Sequence, residues 1–528
     1  MIQTLISRWW TWAIVLVGAT CAVYAISLNA PFIWDDEVMV VGNTLIRDFA
    51  HIGRIFTTAA FGEPFHPSLF YRPIQILSFS VDYHFWGLNP LGYRLTNLLL
   101  HSINSILVLV IFRRFFSPVL AGLLAVIFAV HPIGIECVTY VSGRGDVLST
   151  CLALVSVACV IQYAKAYQHR WLFFALIAYC VALITKENIV FIPFVWLIYD
   201  RFFLTQKSRL SRLILWSGVM ISIGFSVFRF WGGLDRKIKT LSFIADSSLL
   251  VRLMTIPKSM MMYLKLVIWP YPLHMEYHFV STSLFTWWSL GFILVCVAIG
   301  LWLKKSYLKP ILAWFLLIMV MGVLPVNNVV PALASTIREH WFYLSLVGAL
   351  GCVGVGLTEL KERAKTPYFK DRIVIAVLCI FCALFSVVTI YRNLDWTNPV
   401  KFYTHDIQHE PYGFVLYNNL GVELFRAGDI VSAAHLFQKS IDTSPRSRYG
   451  IAYNNLGAVY MRGADFHSAE ALFKASIAFS DYPLAYRNLI AILYQQGRYM
   501  ELINWLDMAV AKFPQDPDFR QMRLALQK

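Results

Sequence analysis

Charge is scarce in this chain. Only 14% of its 528 residues are Asp, Glu, Lys or Arg, against about 25% in soluble domains. That deficit, with 58% hydrophobic residues and a mean hydropathy of +0.61, excludes an ordinary soluble enzyme. Cysteine is also sparse: of nine, eight lie within apolar runs and only Cys137 reads as a loop residue, so no disulfide framework is expected. The chain has no Asn-x-Ser/Thr sequon, P-loop, strand-linked GxGxxG, HExxH or zinc-type spacing. Nucleotide-driven and zinc chemistry therefore have no sequence support.

What the chain does have is long apolar runs, each approaching the roughly 20 residues that span a bilayer. The first, near residues 9–29, reads as a retained helix and not a cleaved signal. The net charge of +15 is spread over short basic stretches: Arg8, "FRRFF" (112–116), "KAYQHR" (165–170), "DRFFLTQKSRLSR" (200–212), "KKSYLK" (304–309) and "KERAKTPYFKDR" (361–372). This suits the positive-inside rule, not nucleic acid. One segment, 250–270, is apolar but carries Arg252, Lys258 and Lys265, as an interfacial helix would. With it lying in the interface, the expectation is a polytopic helical bundle of about eleven transmembrane helices. Its N-terminus is then inside and everything after about 391 outside; an even count is the rival.

From residue 412 the long apolar runs stop. "YNNLG" at 417–421 returns at 453–457, and "YRNLI" follows at 486–490. Spacings of 36 and 33 residues lie near the tetratricopeptide-repeat period of about 34. Leu420, Gly421, Ala433, Phe437, Leu456, Gly457, Ala469 and Phe473 fall at the repeat's packing positions. The expected organisation is all-α: a membrane domain over 1–395, a linker over 396–411 and a three-repeat α-solenoid over 412–528. Such a stack binds a polypeptide.

The orientation collects polar residues on one side. "WDDEV" sets Asp35, Asp36 and Glu37 side by side at a helix exit, where mutual repulsion and desolvation raise carboxylate pKa values and favour a general base. Arg72 and Arg94 near the outer interface offer guanidinium forks suited to phosphate, or simple snorkelling. Glu136, Arg144 and Asp146 suggest a shared polar site. Lys186 and Glu187 would be costly in lipid unless paired or bound. Arg338, Glu339 and His340 open the tenth helix on the same side. Tyr417, Asn418, Tyr453 and Asn454 are the expected polypeptide contacts on the repeats.

Together, "WDDEV" with Asn43, "YRPIQILSF" (71–79), "LGYRLTNLLLHSINS" (91–105) and "LLAVIFAVHPIGIECVTYVSGRGDVLS" (123–149) resemble the transmembrane and tetratricopeptide-repeat O-mannosyltransferases. So do "LITKENIVFIPFVWLIYD" (183–200), "WPYPLHMEYHF" (269–279) and "REHWFYLS" (338–345). That family falls within the GT-C class of membrane glycosyltransferases. The chain departs from it at His340, where the family has arginine, at Glu276, where it usually has aspartate, and in its three repeats; it reads as a bacterial relative. The resemblance implies transfer of a sugar, mannose or another hexose, from a polyprenyl- or dolichyl-phosphate donor to Ser/Thr hydroxyls of exported proteins, with inversion. Asp36 is the expected base, positioned by Asp35 and Glu37. Arg72, Arg144, Lys186 and Arg338 face the donor phosphate, supported by Glu136, Asp146, Glu187, Glu276 and Glu339. No cofactor is implied beyond the lipid-linked sugar; a divalent metal would require Asp36 and Asp146 to converge. The alternatives are a glycan or lipid acceptor on the same fold, or a non-catalytic scaffold that recruits proteins through its repeats. The expected location is the bacterial inner membrane with periplasmic repeats, or the endoplasmic reticulum with luminal ones.

Overall fold

The computed structural model describes residues 8–57, 71–205, 208–231, 241–329, 333–363, 367–480, 482–514 and 516–526. Parts of two basic stretches, at 206–207 and 364–366, lie outside the described residues. The chain is all-α: among the described residues the only extended pairing is a single antiparallel bridge between Tyr277 and Ile337.

The bundle is built from α1 (Trp9–Tyr24), α2 (Pro73–Trp86), α3 (Pro90–Phe112), α4 (Pro118–Val130), α5 (Arg144–Ala166), α6 (Arg170–Leu183) and α7 (Ile192–Phe203). It continues with α8 (Arg209–Trp231), α9 (Leu249–Ile268), α10 (Trp287–Lys305), α11 (Lys309–Val323), α12 (Tyr343–Arg363) and α13 (Pro367–Trp396). Starts are marked by proline in the first turn of α2, α3 and α4, where the missing N–H is not needed. Side chains such as Leu99, Ile177, Leu213, Ile293 and Leu384 are exposed on the outer faces, an apolar exterior that water would not tolerate over such an area. The protein is an integral, multi-pass membrane protein.

By length and hydropathy, eight helices of the described residues qualify as spans, or nine if the pair Pro118–Val130 and Pro132–Val138, bent by 48°, counts as one. The path of the chain completes the picture. At one end of the bundle Tyr167 bonds Thr205 (2.6 Å), His169 bonds Ser208 (3.0 Å) and Trp302 bonds Glu359 (2.9 Å). At the other end Arg72 meets Glu187, Arg229 meets Glu187 and Arg338 meets Glu276. The helices that qualify are α1, α3, α5, α8 and α10 to α13, with α4 in the bent pair, eight or nine where about eleven were expected. At 14 and 12 residues, α6 and α7 fall short of the ~20 needed to cross unaided. Helix α9 does not run end to end: Arg252 in its first turn donates to the Asn328 and Val329 carbonyls, and Tyr263 near its last turn donates to the Arg338 carbonyl. Both its ends are fastened to the loop that carries Arg338. The sequence puts Arg252, Lys258 and Lys265 on this helix.

Inside, polar side chains tie helices together, as lipid supplies no hydrophobic drive for doing so. His101 bonds Tyr343 (2.6 Å) and the Ala129 carbonyl (2.9 Å), and Thr139 donates to Asn393 (2.6 Å). Close approach does the rest: a Cβ on Gly348 would sit 2.3 Å from the Met319 nitrogen, so α11 and α12 touch backbone to backbone there.

Residues 396–411, expected as a linker, form helix α14 (Pro399–His409). Phe402, Tyr403 and Asp406 are buried, because Asp406 is drawn to Arg392 (2.7 Å) and Phe402 packs on Trp396. Beyond it come three helical pairs: α15 (Phe414–Arg426) with α16 (Ile430–Thr443), α17 (Gly450–Arg462) with α18 (Phe466–Phe479), and α19 (Pro483–Gln495) with α20 (Tyr499–Lys512). A short α21 (Pro517–Ala525) follows. The "YNNLG" and "YRNLI" stretches lie in the first helix of each pair. The first pair is not separate from the bundle, since Leu416 and Leu420 belong to the bundle's own apolar core.

Candidate functional site

The three acids of "WDDEV" part company at Trp34. Its φ of +57° is strained for a bulky residue, by about 1–3 kcal/mol. The indole is held between the Tyr403 ring, 6.1 Å away, and the Arg338 guanidinium, 5.8 Å above it. After this turn Asp36 is fully buried, whereas Asp35 and Glu37 stay part-exposed.

Asp36, expected as the base, is enclosed. Its Oδ1 accepts from the Ser142 backbone (2.8 Å) and hydroxyl (2.6 Å), and Oδ2 from the Ile33 N–H (3.4 Å). Burial pushes its carboxyl up to about 6. Arg94 works on the same loop: fully buried, it donates to the carbonyls of Ala30, Pro31 (2.7 Å) and Thr139 (2.9 Å). These contacts make Asp36 and Arg94 the frame of the loop and leave Asp35 at its mouth. The Asp35 N–H donates to the Tyr140 hydroxyl (3.2 Å). Burial, then the charges of Asp35 and Asp36, hold the Tyr140 hydroxyl well above its ordinary range. Arg338 stays charged despite burial, because Glu276 and Asp35 outweigh the desolvation.

Arg144, expected at the donor phosphate, is instead a structural residue. It is fully buried, pairs with Asp82 and donates to Asn97 (2.7 Å) and the Tyr93 carbonyl (2.6 Å). A guanidinium so engaged has nothing to offer a ligand, and the inward carbonyls of α2 and α3 are the reason it is there. Gly143 beside it is required by contact: a Cβ would fall 2.0 Å from the Glu136 carbonyl oxygen.

The remaining cations form two groups. Arg72 engages Glu187 through Nη2 (2.8 Å) and Nε (3.3 Å), and Arg229 meets the same carboxylate at 3.1 Å. Burial would raise Glu187, but Arg72 and Arg229 hold it well below the carboxylate range. Lys186 is 2.5 Å from Asp146, and His340 joins this group, 2.7 Å from Glu136 and 3.9 Å from Asp146. In the second group Arg338 meets Glu276 (3.2 Å), whose other oxygen lies 3.2 Å from His278. Asp36 and Asp146 take different partners, Ser142 and Lys186. Among the described residues no three His, Cys, Asp or Glu side chains gather as a metal would need.

Glu339 does not face the mouth. It accepts from the His274 N–H and the Tyr277 hydroxyl, both at 2.8 Å. Asp406 and Glu410 continue the pattern, taking the N–H groups of Met275 (2.8 Å) and His278 (2.9 Å). Three carboxylates thereby fix the backbone of "WPYPLHMEYHF", which has no strand partner beyond one bridge.

The tail reaches this site. Arg426 approaches Glu37 (3.5 Å), Phe414 stacks on His278, and Tyr449 senses the charges of Glu276 and Asp35. The acceptor contacts expected on the repeats are placed differently. Asn418 and Asn454 are 3% and 1% exposed, Tyr417 is buried, and Tyr453 donates to the Ser447 carbonyl (3.0 Å). The half-exposed amides are their neighbours Asn419 and Asn455, with Asn488 in the third unit.

Tyr140, Arg229, Asp406 and Tyr403 were not singled out by the sequence. Arg229 had a signal: it is an arginine at the end of α8 opposite the basic stretches. Asp406 and Glu410, one helical turn apart, had another.

Residues 83–231 match the family described as dolichyl-phosphate-mannose-protein mannosyltransferase. A human protein O-mannosyl-transferase, TMTC1, is 30% identical over 217 residues, covering 38% of this chain and 24% of that protein. Human TMTC4 is 29% identical over 208 residues, 34% of this chain and 27% of that protein. A Caenorhabditis elegans protein O-mannosyl-transferase, F38B6.6, is 23% identical over 453 residues, 82% of this chain and 62% of that protein. The matched part spans only about a quarter of the human relatives' length. The crystal structure of ArnT from Cupriavidus metallidurans bound to undecaprenyl phosphate aligns over 90% of this chain and 77% of its own. Its TM-score is 0.39 with 15% identity, a likeness too distant to carry an argument. The resemblance read from the sequence motifs recurs in these comparisons: this chain is similar to the TMTC-type protein O-mannosyl-transferases.

Proposed function

We propose that this relative of the protein O-mannosyl-transferases is a GT-C-type glycosyltransferase. It moves a hexose, mannose in the first instance, from a polyprenyl-phosphate donor to Ser/Thr hydroxyls of polypeptides. The observation that carries the reading is a part-exposed carboxylate, Asp35, lying within electrostatic reach of the part-exposed cation Arg338 at the mouth of the site. A hydroxyl is a poor nucleophile until a base takes its proton in the transition state. Asp35 is the base: it is part-exposed where Asp36 is buried, and Arg338 is near it.

In this scheme the acceptor oxygen gives its proton to Asp35 and forms the new bond to the anomeric carbon. The bond from that carbon to the donor phosphate oxygen breaks, and its electron pair leaves on the lipid phosphate. Negative charge grows there, and preorganised cations stabilise it; Arg338, Arg72, Lys186 and Arg229 supply them. Each already faces a carboxylate, so the field is fixed before substrate arrives. Asp36, Ser142 and Arg94 hold the loop, and Arg144 ties α5 to α2 and α3.

The test is reconstitution of the full chain in liposomes with polyprenyl-phosphate mannose and a Ser/Thr-rich peptide. Mass spectrometry should find added hexose on Ser or Thr. Donor hydrolysis or transfer to lipid with no peptide product refutes the acceptor; no consumption of any polyprenyl-phosphate hexose refutes the enzyme.

A further inference from the structure

Five asparagines in the tail form one continuous chain of hydrogen bonds. Asn488 donates to Asn454 (2.9 Å), Asn454 to Asn455 (3.2 Å), Asn455 to Asn418 (2.9 Å) and Asn418 to Asn419 (3.1 Å). At its near end the chain comes to Tyr403, whose hydroxyl feels both the Asn419 amide and the Trp34 backbone and whose ring lies 6.1 Å from the Trp34 indole; Trp34 precedes Asp35. A single polar path thus runs from the third helical pair to the mouth of the site, along the first helices α19, α17 and α15.

All of these amides donate in one direction, so each polarises the next. Asn418 and Asn454 are buried inside the path. Asn419, Asn455 and Asn488 are half-exposed and occupy the same position in the three units. A side-chain amide has two N–H donors and two acceptor lone pairs. The path uses one N–H and, at most, one lone pair of each, leaving every half-exposed amide a donor and an acceptor for the open face. That pair is what a peptide bond needs, and it does not depend on the peptide's side chains. Successive identical amides suit a repeating backbone better than a sugar, which is usually met by aromatic faces.

We infer that Asn419, Asn455 and Asn488 form a track that binds the backbone of an extended polypeptide and leads it to Asp35. This rests on the reading above that the acceptor is a polypeptide, and names how it is held. Binding should therefore be independent of sequence, while the mouth of the site selects the hydroxyl.

The probe is a fluorescein-labelled Ser/Thr/Ala/Gly peptide of about 20 residues, which extended spans ~65 Å. Its binding to the full chain in detergent is followed by fluorescence anisotropy, without donor, so the outcome is separate from sugar transfer. The triple variant Asn419→Ala, Asn455→Ala, Asn488→Ala should bind about 10-fold or more weakly, several hydrogen bonds being lost. A peptide N-methylated at alternate residues should bind unaltered protein equally weakly, a measurement that needs no variant to fold. Methylated and plain peptides binding alike would overturn the track. So would a triple variant of unchanged melting temperature that binds as tightly as the parent, or an oligomannose glycan that displaces the peptide from the asparagines.

Discussion

His340 is wedged between two buried carboxylates, its Nδ1 2.7 Å from Glu136 and its Nε2 3.9 Å from Asp146. A basic side chain that reaches both acids can take this place. His340→Arg should keep the fold and the activity. His340→Leu removes the imidazole partner of buried Glu136, which keeps only the backbone N–H of residue 340, and should cost about 1–3 kcal/mol, read as a lowered melting temperature in detergent.

Arg72 holds Glu187 with two nitrogens, and Arg229 completes the group. Arg72→Ala should raise the KM for the lipid-phosphate donor by about 10-fold or more, the scale of a lost charge-assisted bond. Arg72→Lys should not restore it, since an ammonium cannot copy the fork. Steady-state kinetics with the donor varied decide this; full rescue by lysine would reduce Arg72 to a simple charge.

Asp36 sets a pH dependence of stability. Its carboxyl, about 6 in the fold through burial, is near 3.9 in an unfolded chain. Because the folded value is the higher, its stabilising contribution is complete below about pH 4 and is lost as pH rises through about 6, a loss of ~3 kcal/mol. Asp36→Asn removes this titration. Melting temperatures from about pH 4 to about pH 7 should fall less in the variant than in the parent.

The helical pairs depend on glycine for contact. A Cβ on Gly457 would meet the Phe473 ring at 2.7 Å. Gly457→Ala should destabilise the tail by about 1–3 kcal/mol, shown by earlier proteolytic release of fragments beyond residue 450 on heating.

Much of this was legible in the sequence. Apolar runs gave the helices, and Gly421 and Gly457 with Phe437 and Phe473 gave the pairs, because each reflects a local period. The site was legible by residue type and not by direction. Asp35 and Asp36 are indistinguishable in the string, and only the left-handed turn at Trp34 separates the enclosed carboxylate from the open one. Arg144 looked like a phosphate ligand, since its partners Asp82, Asn97 and the Tyr93 carbonyl lie about 50 to 60 residues away. Asn419 could have been found. At 100° per residue it lies about 200° from Gly421, whereas Asn418 lies about 60° from that inward glycine.

The central claim is that Asp35, and not its neighbour, takes the proton. Sugar transfer to peptide by Asp35→Asn and Asp36→Asn, each checked for an intact melting transition, tests it most directly. The account predicts that Asp35→Asn lowers kcat by about 10²–10⁴ with donor binding retained, and that Asp36→Asn leaves kcat within about 10-fold of the parent, well short of a lost base. An Asp35→Asn enzyme that turns over at the parental rate, or a folded Asp36→Asn enzyme that is inactive, would contradict it.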